Sequence, residues 1–465
     1  MRVAVAVVLL MLTAAQSARA AQDTVRVRLE EFVRAALVQN LDLRAAEAAT
    51  REVETYGPGA RARFDPLLSL GGDPGAASFG GQLTGAIPTG ARYLLGTVAP
   101  SMMPGEPIYP DALVASLSQP LLRGIGPRSS RSAIRSVDEG VAAARARLAR
   151  TRDEVVELIA LAYAVLAERH RQEAIGARSL RRAEELHTAY TGLRSLERIT
   201  EVELITAQLG VASRRATMLE LRRDRQDAQD ALVFAAYGAR AADRLASADA
   251  VLLPIDTALA AVELPAMPDA VSRAIAQRGD VEAARRTVQR MRYQSQYTRN
   301  SSLPAFDVSA ALSSTRLDSA GRARSPEGRS RETEWFVGIE FSRSILNTGA
   351  RADVERASAT ELQAALALAD AENVARADVR AAYRDIELGR EHARLATEAA
   401  QLAARQYEGE RERLRLGLTD IFRVLQYEEQ VSLVERAEAL AWLSLTAATI
   451  RYRTAVGDAA TGYLR

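Results

Sequence analysis

The sequence predicts a mainly α protein with a smaller β part, assembled from two tandem copies of one long unit. Three observations carry this. A motif near the start returns 238 positions later, apolar heptads run on without proline for most of each copy, and a pair of short alternating strands interrupts the second copy before its long helix. The repeat is residue by residue: Val33, Ala36, Leu37, Gln39, Asp42, Leu43, Ala45 and Ala46 correspond to Val271, Ala274, Ile275, Gln277, Asp280, Val281, Ala283 and Ala284. Later, Ile134, Ala162, Tyr163, Leu204 and Ile205 correspond to Val354, Ala382, Tyr383, Val424 and Leu425 at 220 positions, and Gly238 to Gly457 at 219. The slippage therefore lies between residues 46 and 134.

Residues 1–20 stand apart as an export signal: Arg2, an apolar run from Val3 to Ala15, and a small-x-small site at Ala18-Arg19-Ala20. The run is too short to span a bilayer, and no later stretch approaches the roughly 20 apolar residues of a transmembrane helix. The expected organisation is a first repeat over 21–250, a linker at 251–268 marked by Pro254, Pro265 and Pro268, and a second repeat over 269–465. Cysteine is absent, which excludes disulfides, thiolate metal sites, catalytic thiols and a lipidated cysteine at the cleavage site. All 61 basic residues are arginine, against 59 acidic residues, and loss of Arg2 and Arg19 with the signal leaves a near-neutral chain. That balance gives no footprint for nucleic acid, and a GC-rich coding bias accounts for arginine in place of lysine.

Residues 29–56 read as a helix ended by Gly57-Pro58-Gly59. From 64 to 120 glycine, proline, serine and threonine dominate, which predicts β-structure with a turn at Pro88-Thr89-Gly90; two membrane strands are expected within 80–98 and 111–117, and residues 100–110 as a loop. Heptads begin near Ser129. Ile134, Val141, Leu148, Val155 and Ala162 hold one seam position, and Val137, Ala144, Thr151, Leu158 and Val165 the other. A helix of about 60 residues would measure about 90 Å, too long for a compact globule. Its break is expected at 192–200. The second copy repeats the plan: a helix at 269–302, strands at 306–313 and 335–342 around a polar loop, then helices meeting at Gly417.

In those two strands Phe306, Val308, Leu312, Trp335, Val337, Ile339 and Phe341 share an apolar character, while Asp307, Ser309, Ser313, Glu340 and Ser342 fall on the other face. Such dyad alternation suits a membrane barrel strand, whose length is about 9–11 residues, and equally a soluble hairpin with one wet face. Four strands cannot close an open channel alone, and edges unpaired in lipid are forbidden, so several copies would have to combine.

Here the chain resembles the TolC-type outer membrane factors. The resemblance covers about residues 25–460 and rests on the doubled plan, on the opening motif Ala36-Leu37-Val38-Gln39-Asn40-Leu41-Asp42-Leu43, on Leu117-Ser118-Gln119-Pro120-Leu121-Leu122-Arg123-Gly124, and on Gly417-Leu418-Thr419-Asp420-Ile421-Phe422-Arg423-Val424-Leu425. It implies the tandem-repeat outer membrane factor fold: a homotrimer in which each protomer gives four strands to a 12-stranded β-barrel and long coiled-coil helices to a periplasmic α-barrel. The function implied is a passive exit duct in outer membrane lipid, serving a tripartite efflux pump or type I secretion system with a periplasmic adaptor (membrane fusion) protein and an inner-membrane transporter of RND, ABC or MFS type.

On the same resemblance, Gly192, Leu193, Arg415, Gly417, Leu418 and Thr419 would form the periplasmic tips that contact the adaptor, Phe306, Trp335 and Phe341 would be membrane-strand aromatics, and Asp420, Arg423 and Gln426 would occupy gate positions. The family's lumen carboxylates are replaced there by Arg423 and Gln426. If Arg423 faces the lumen, three copies make a positive ring favouring anions; the alternative is an ion pair with Glu428 or Glu429. The first tip has Glu197 where the second has Gly417.

No cofactor, metal site or catalytic residue is expected. His170, His187 and His392 lack a second ligand at helical spacing, and phosphate loops, nucleophile elbows and zinc helices are absent from the sequence. The competing reading is a soluble periplasmic coiled-coil scaffold or adaptor-like protein.

Overall fold

A computed structural model describes residues 24–73, 78–98, 112–196, 199–238, 251–256, 263–317 and 330–463. The export segment, the loop at 100–110 and Glu197 lie outside the described residues. In chain order the elements are β1 (Thr24–Val27), α1 (Leu29–Gln39), α2 (Leu41–Arg61), β2 (Leu67–Asp73), β3 (Ser78–Ala86), β4 (Arg92–Val98), β5 (Ala112–Pro120), α3 (Gly126–Ser195), α4 (Glu201–Tyr237), β6 (Val251–Pro254), α5 (Met267–Gln277), α6 (Gly279–Ser301), β7 (Ala305–Leu317), β8 (Ser330–Ser342), α7 (Thr348–Arg415), α8 (Ile421–Val456) and α9 (Ala459–Gly462). The helix predicted at 29–56 is two, because the chain turns extended at Asn40. No described helix is long and apolar enough to cross a membrane.

The chain divides into two compact units. The first holds residues 1–47, 148–279 and 373–465. Its larger core joins Phe32, Val33, Ala36 and Leu43 to Val155, Val156, Ile159, Ala160, Tyr163 and Leu166 of α3, with Leu232 of α4. The buried stripe of α3 is thus broader than a two-position seam, and Leu158, expected in that seam, is 47% exposed. The reason is local: α3 buries adjacent pairs such as 155/156 and 159/160, so the face is centred away from position 158.

The duplication reappears here as repeated contacts. The Tyr163 hydroxyl donates to the Val27 carbonyl (2.9 Å), and Tyr383 donates to the Pro265 carbonyl (2.8 Å), each just ahead of the first short helix of its copy. Gly238 and Gly457, both at positive φ, lie against the kinks that end those helices; a Cβ would meet Gln39 O at 2.7 Å in one copy and Arg278 N at 3.2 Å in the other. Tyr163 does more in the first copy, since its oxygen also accepts from Ile255 N (3.1 Å) and Asp256 N (3.2 Å), fastening the chain beyond the parallel β1–β6 pair. Tyr163→Phe is expected to strand the Asp256 amide, while Ile255 N keeps the Val27 carbonyl (3.2 Å), and to cost about 1–3 kcal/mol. A denaturant midpoint of the mature protein, with Tyr383→Phe as the milder comparison, measures it.

The second unit, residues 48–147 and 280–372, contains one antiparallel sheet of six strands in the order β2-β3-β4-β5-β7-β8. Four strands per chain were expected. The difference arises before residue 99: the window 80–98 folds back on itself at the predicted Pro88-Thr89-Gly90 turn to make β3 and β4, and β2 precedes them. Glycine at 71, 72, 80, 81, 85 and 96 hides these strands from a propensity reading, since it contributes to the ladder without an apolar side chain. β7 and β8 are also longer than predicted, 13 residues each, because Thr315 and Glu332 continue the pairing into what reads as a polar loop. Backbone hydrogen bonding extends a ladder whatever the side chains are.

Candidate functional site

Two helix reversals in the first unit come together. α3 ends at Ser195 and α4 starts at Glu201, where Thr200 and Glu203 form a reciprocal capping box: Glu203 N donates to Thr200 Oγ1 (3.3 Å) and Thr200 N to Glu203 Oε2 (2.7 Å). The Thr-x-x-Glu spacing announced that helix start in the sequence. α7 ends at Arg415, and Gly417 takes φ +72, with Gly417 N on Leu414 O (3.0 Å) and Leu418 N on Arg413 O (2.8 Å). This is the Schellman ending that a left-handed glycine permits. Tyr190, Ala207, Ile421 and Leu425 form the apolar plug between the reversals, with Leu186, Ile199, Leu204 and Leu414 around it. Burial, reinforced by the Glu203 and Asp420 carboxylates, pushes the Tyr190 phenol up to about 12.

Gly192, Arg415, Gly417 and Leu418 are exposed, while Leu193 and Thr419 are half-buried. Arg415 is tied to Glu412 (2.6 Å). Leu418 (64% exposed) and Phe422 (68%), with Leu196, Val202 and Leu416, leave an apolar fringe uncovered around the two turns. Of the three positions expected at a gate, Asp420 is engaged as the N-cap of α8, its Oδ1 accepting from Arg423 N (2.8 Å). Arg423 and Gln426 are exposed. Among the described residues Arg423 forms no ion pair with Glu428 or Glu429. Glu428 is taken by two other arginines.

That arrangement was not legible in the sequence. Glu428, with its side chain 3% exposed, accepts from Arg214 Nε (2.6 Å) and sits 3.3 Å from Arg182, so one carboxylate of α8 binds α3 and α4 together. Arg214 also donates to the carbonyls of Gly210 (3.1 Å) and Leu425 (3.3 Å), and Arg182 lies over the Tyr407 ring at 5.5 Å. Partners more than 200 residues apart leave no local signal.

In the second unit the sheet has two chemically different faces. Rows of facing residues run across every strand: Leu68, Leu83, Leu95, Ala115, Leu312 and Trp335 on one side, and Ser69, Gln82, Gly96, Val114, Ser313 and Glu334 on the other. Trp335 is 77% exposed; Phe341 is exposed and Phe306 half-buried, the two rings meeting edge to face at 6.5 Å. An exposed apolar belt with aromatics on a sheet whose opposite face is polar fits lipid contact. Among the described residues there is no metal-binding cluster of His, Cys, Asp and Glu.

Long helices ending in capped reversals, and a sheet with one apolar face, are the parts of the outer membrane factor fold. Residues 270–458 match the family model described as outer membrane efflux protein. The fold of the chain is shared over nearly the whole length with solved channels. The outer-membrane channel OprN superposes with TM-score 0.69 at 19% identity, covering 94% of this chain and 91% of that one. VceC of Vibrio cholerae gives TM-score 0.67 at 17% identity with 92% and 96% covered, and the open state of MtrE of Neisseria gonorrhoeae 0.65 at 18% with 92% and 89%. No curated protein sequence matches the chain. The family is one of channel proteins of the outer membrane reaching into the periplasm.

Proposed function

We propose that three copies of this chain form a passive exit duct of a tripartite efflux pump or type I secretion system, in which each tandem repeat supplies part of a membrane barrel and part of a helical barrel. The observation that carries the assembly is unpartnered surface of two kinds in one chain. The sheet ends in two open edges, β2 and β8, which lipid does not tolerate. The helices carry heptad stripes facing nothing: Leu388, Leu395 and Leu402 on α7, and Val202, Ile205, Leu209, Ala212, Ala216 and Leu219 on α4, all exposed. A second copy covers both. Leu395→Asp with Leu402→Asp places carboxylates in that seam at several kcal/mol per copy. The expected result is a native mass falling from three chains to one with helical content retained.

The apolar fringe of Leu196, Val202, Leu416, Leu418 and Phe422 is the surface offered to a periplasmic adaptor, with Gly192, Leu193, Arg415, Gly417 and Thr419 shaping the turns that present it. Energy comes from an inner-membrane transporter of RND, ABC or MFS type coupled through that adaptor. Arg423 is the proposed gate residue and Gln426 its neighbour. A cell fractionation of the mature protein tests the whole reading: it should remain with detergent-extracted outer membrane and yield discrete conductance steps in a planar bilayer. Recovery as a monomer in the periplasmic wash would restore the scaffold reading.

A further inference from the structure

The family resemblance of the sequence implies four strands per protomer and twelve in the trimer, but the sheet of this chain has six. We propose that all six enter the membrane, so that three copies close a barrel of eighteen strands; this rests on the trimeric duct reading above.

The ladder is continuous. Every neighbouring pair from β2 to β8 is registered residue against residue, with seven pairs between β2 and β3 and six between β3 and β4. The apolar face is continuous too. The row from Leu68 through Leu83, Leu95 and Ala115 to Leu312 and Trp335 contains no polar residue, and Gly85, Tyr93, Leu117, Ala310 and Val337 form the next row inward. Leu68 and Leu70 on β2 are as exposed as Phe341 on β8, which is the condition of residues meant for lipid. A hairpin lying outside a twelve-stranded barrel would have no reason to repeat that pattern in register with it.

Strand direction gives an independent check. All five pairings are antiparallel, so β2 and β8, as the first and last of six, run in opposite senses. β8 of one copy therefore meets β2 of the next as an antiparallel pair, the arrangement an up-and-down membrane barrel requires. Closing instead between β4 and a neighbouring β8 would peel β3 from β4, giving up a complete ladder and leaving backbone groups bare in lipid at several kcal/mol each. The β3–β4 hairpin is also pinned at its turn: Gly126 N donates to Thr89 O (2.9 Å), and Gly90, at φ +96, approaches Gly124 O too closely for any Cβ. Barrel diameter grows roughly in proportion to strand number, so the membrane section would be about 1.5 times as wide as a twelve-stranded one.

Because the chain has no cysteine, engineered pairs report without background. Ser69→Cys on β2 is combined in turn with Glu332→Cys, Glu334→Cys, Phe336→Cys and Glu340→Cys on β8, all on the polar face, and oxidised in outer membranes; Leu94→Cys on β4 replaces Ser69→Cys in a parallel series. Covalent dimers and trimers in the Ser69 series, and none in the Leu94 series, are expected. Cross-links confined to the Leu94 series overturn the eighteen-stranded barrel and keep a twelve-stranded trimer. A native trimer that cross-links in neither series overturns it as well. A monomeric native mass overturns the trimeric duct itself, and is read separately from the gel.

Discussion

Replacing Glu428 with leucine is expected to loosen the paired helix reversals. The carboxylate is the common acceptor for Arg182 and Arg214, and its loss leaves two guanidinium groups in a mostly buried place with no counter-charge. Removing one partner of a buried ion pair costs about 3–5 kcal/mol; because Arg182 is 23% exposed and Arg214 12%, the low end applies here. About 3 kcal/mol corresponds to roughly a 150-fold rise in local opening, which amide exchange over residues 414–434 reads directly. Two comparisons separate charge from packing. Glu428→Gln retains an oxygen for Arg214 and should fall between wild type and leucine, whereas Glu428→Leu combined with Arg214→Met replaces much of the ionic contact by apolar packing and should recover much of the protection. Unchanged exchange in Glu428→Leu would show that the apolar plug around Tyr190 and Leu425 holds the reversals unaided.

Reversing the charge at Arg423 is expected to change which ions cross. The side chain is exposed, one turn into α8, with no acidic partner among the described residues, while its backbone amide is fixed by Asp420. If three such arginines surround the lumen, Arg423→Asp shifts the local charge by six across the trimer. Each lumenal charge biases ion occupancy through the local potential, most strongly where the duct is narrowest. The reversal potential in a salt gradient should then move toward the cation limit, with the bias weakening as ionic strength rises. A reversal potential identical to wild type would place Arg423 on an outer, solvated face and leave selectivity to other residues. Asp420 is unsuitable for the same test, because its substitution removes a helix cap and alters the turn itself.

The parts of this fold carried by periodicity and punctuation were legible in the sequence. The heptads ahead of 192–200, the glycine ending at Gly417 and the alternation of Phe306 to Leu312 and Trp335 to Phe341 all report on nearest neighbours along the chain, which is what a linear reading senses. The tandem copies were legible for the same reason, and the paired contacts of Tyr163 and Tyr383 give that repetition a physical purpose: each hydroxyl holds the chain entering the first short helix of its copy. What escaped is what depends on partners far away or on backbone alone. β2 and β3 are strands because their amides find one another, with glycines that leave no apolar signature. Leu158 fits the heptad arithmetic and still faces outward, since α3 packs on the short helices rather than on a single coiled-coil mate. Glu428 reads as one more surface acid among many until α3 and α4 are brought to it.

The two ends of the sheet are different strands, and this bears on how copies recognise one another. In the proposed trimer a copy offers β8 at one side and accepts at β2 on the other, so joining would be head to tail and every partial assembly would keep one free end of each kind. An open pair joined at one seam still leaves one β8 edge and one β2 edge free, so it is not a resting product of the proposed trimer. Only ring closure removes the last free ends, making the final addition the step that commits the assembly. Such a duct would be expected to populate single chains and complete rings, with little between.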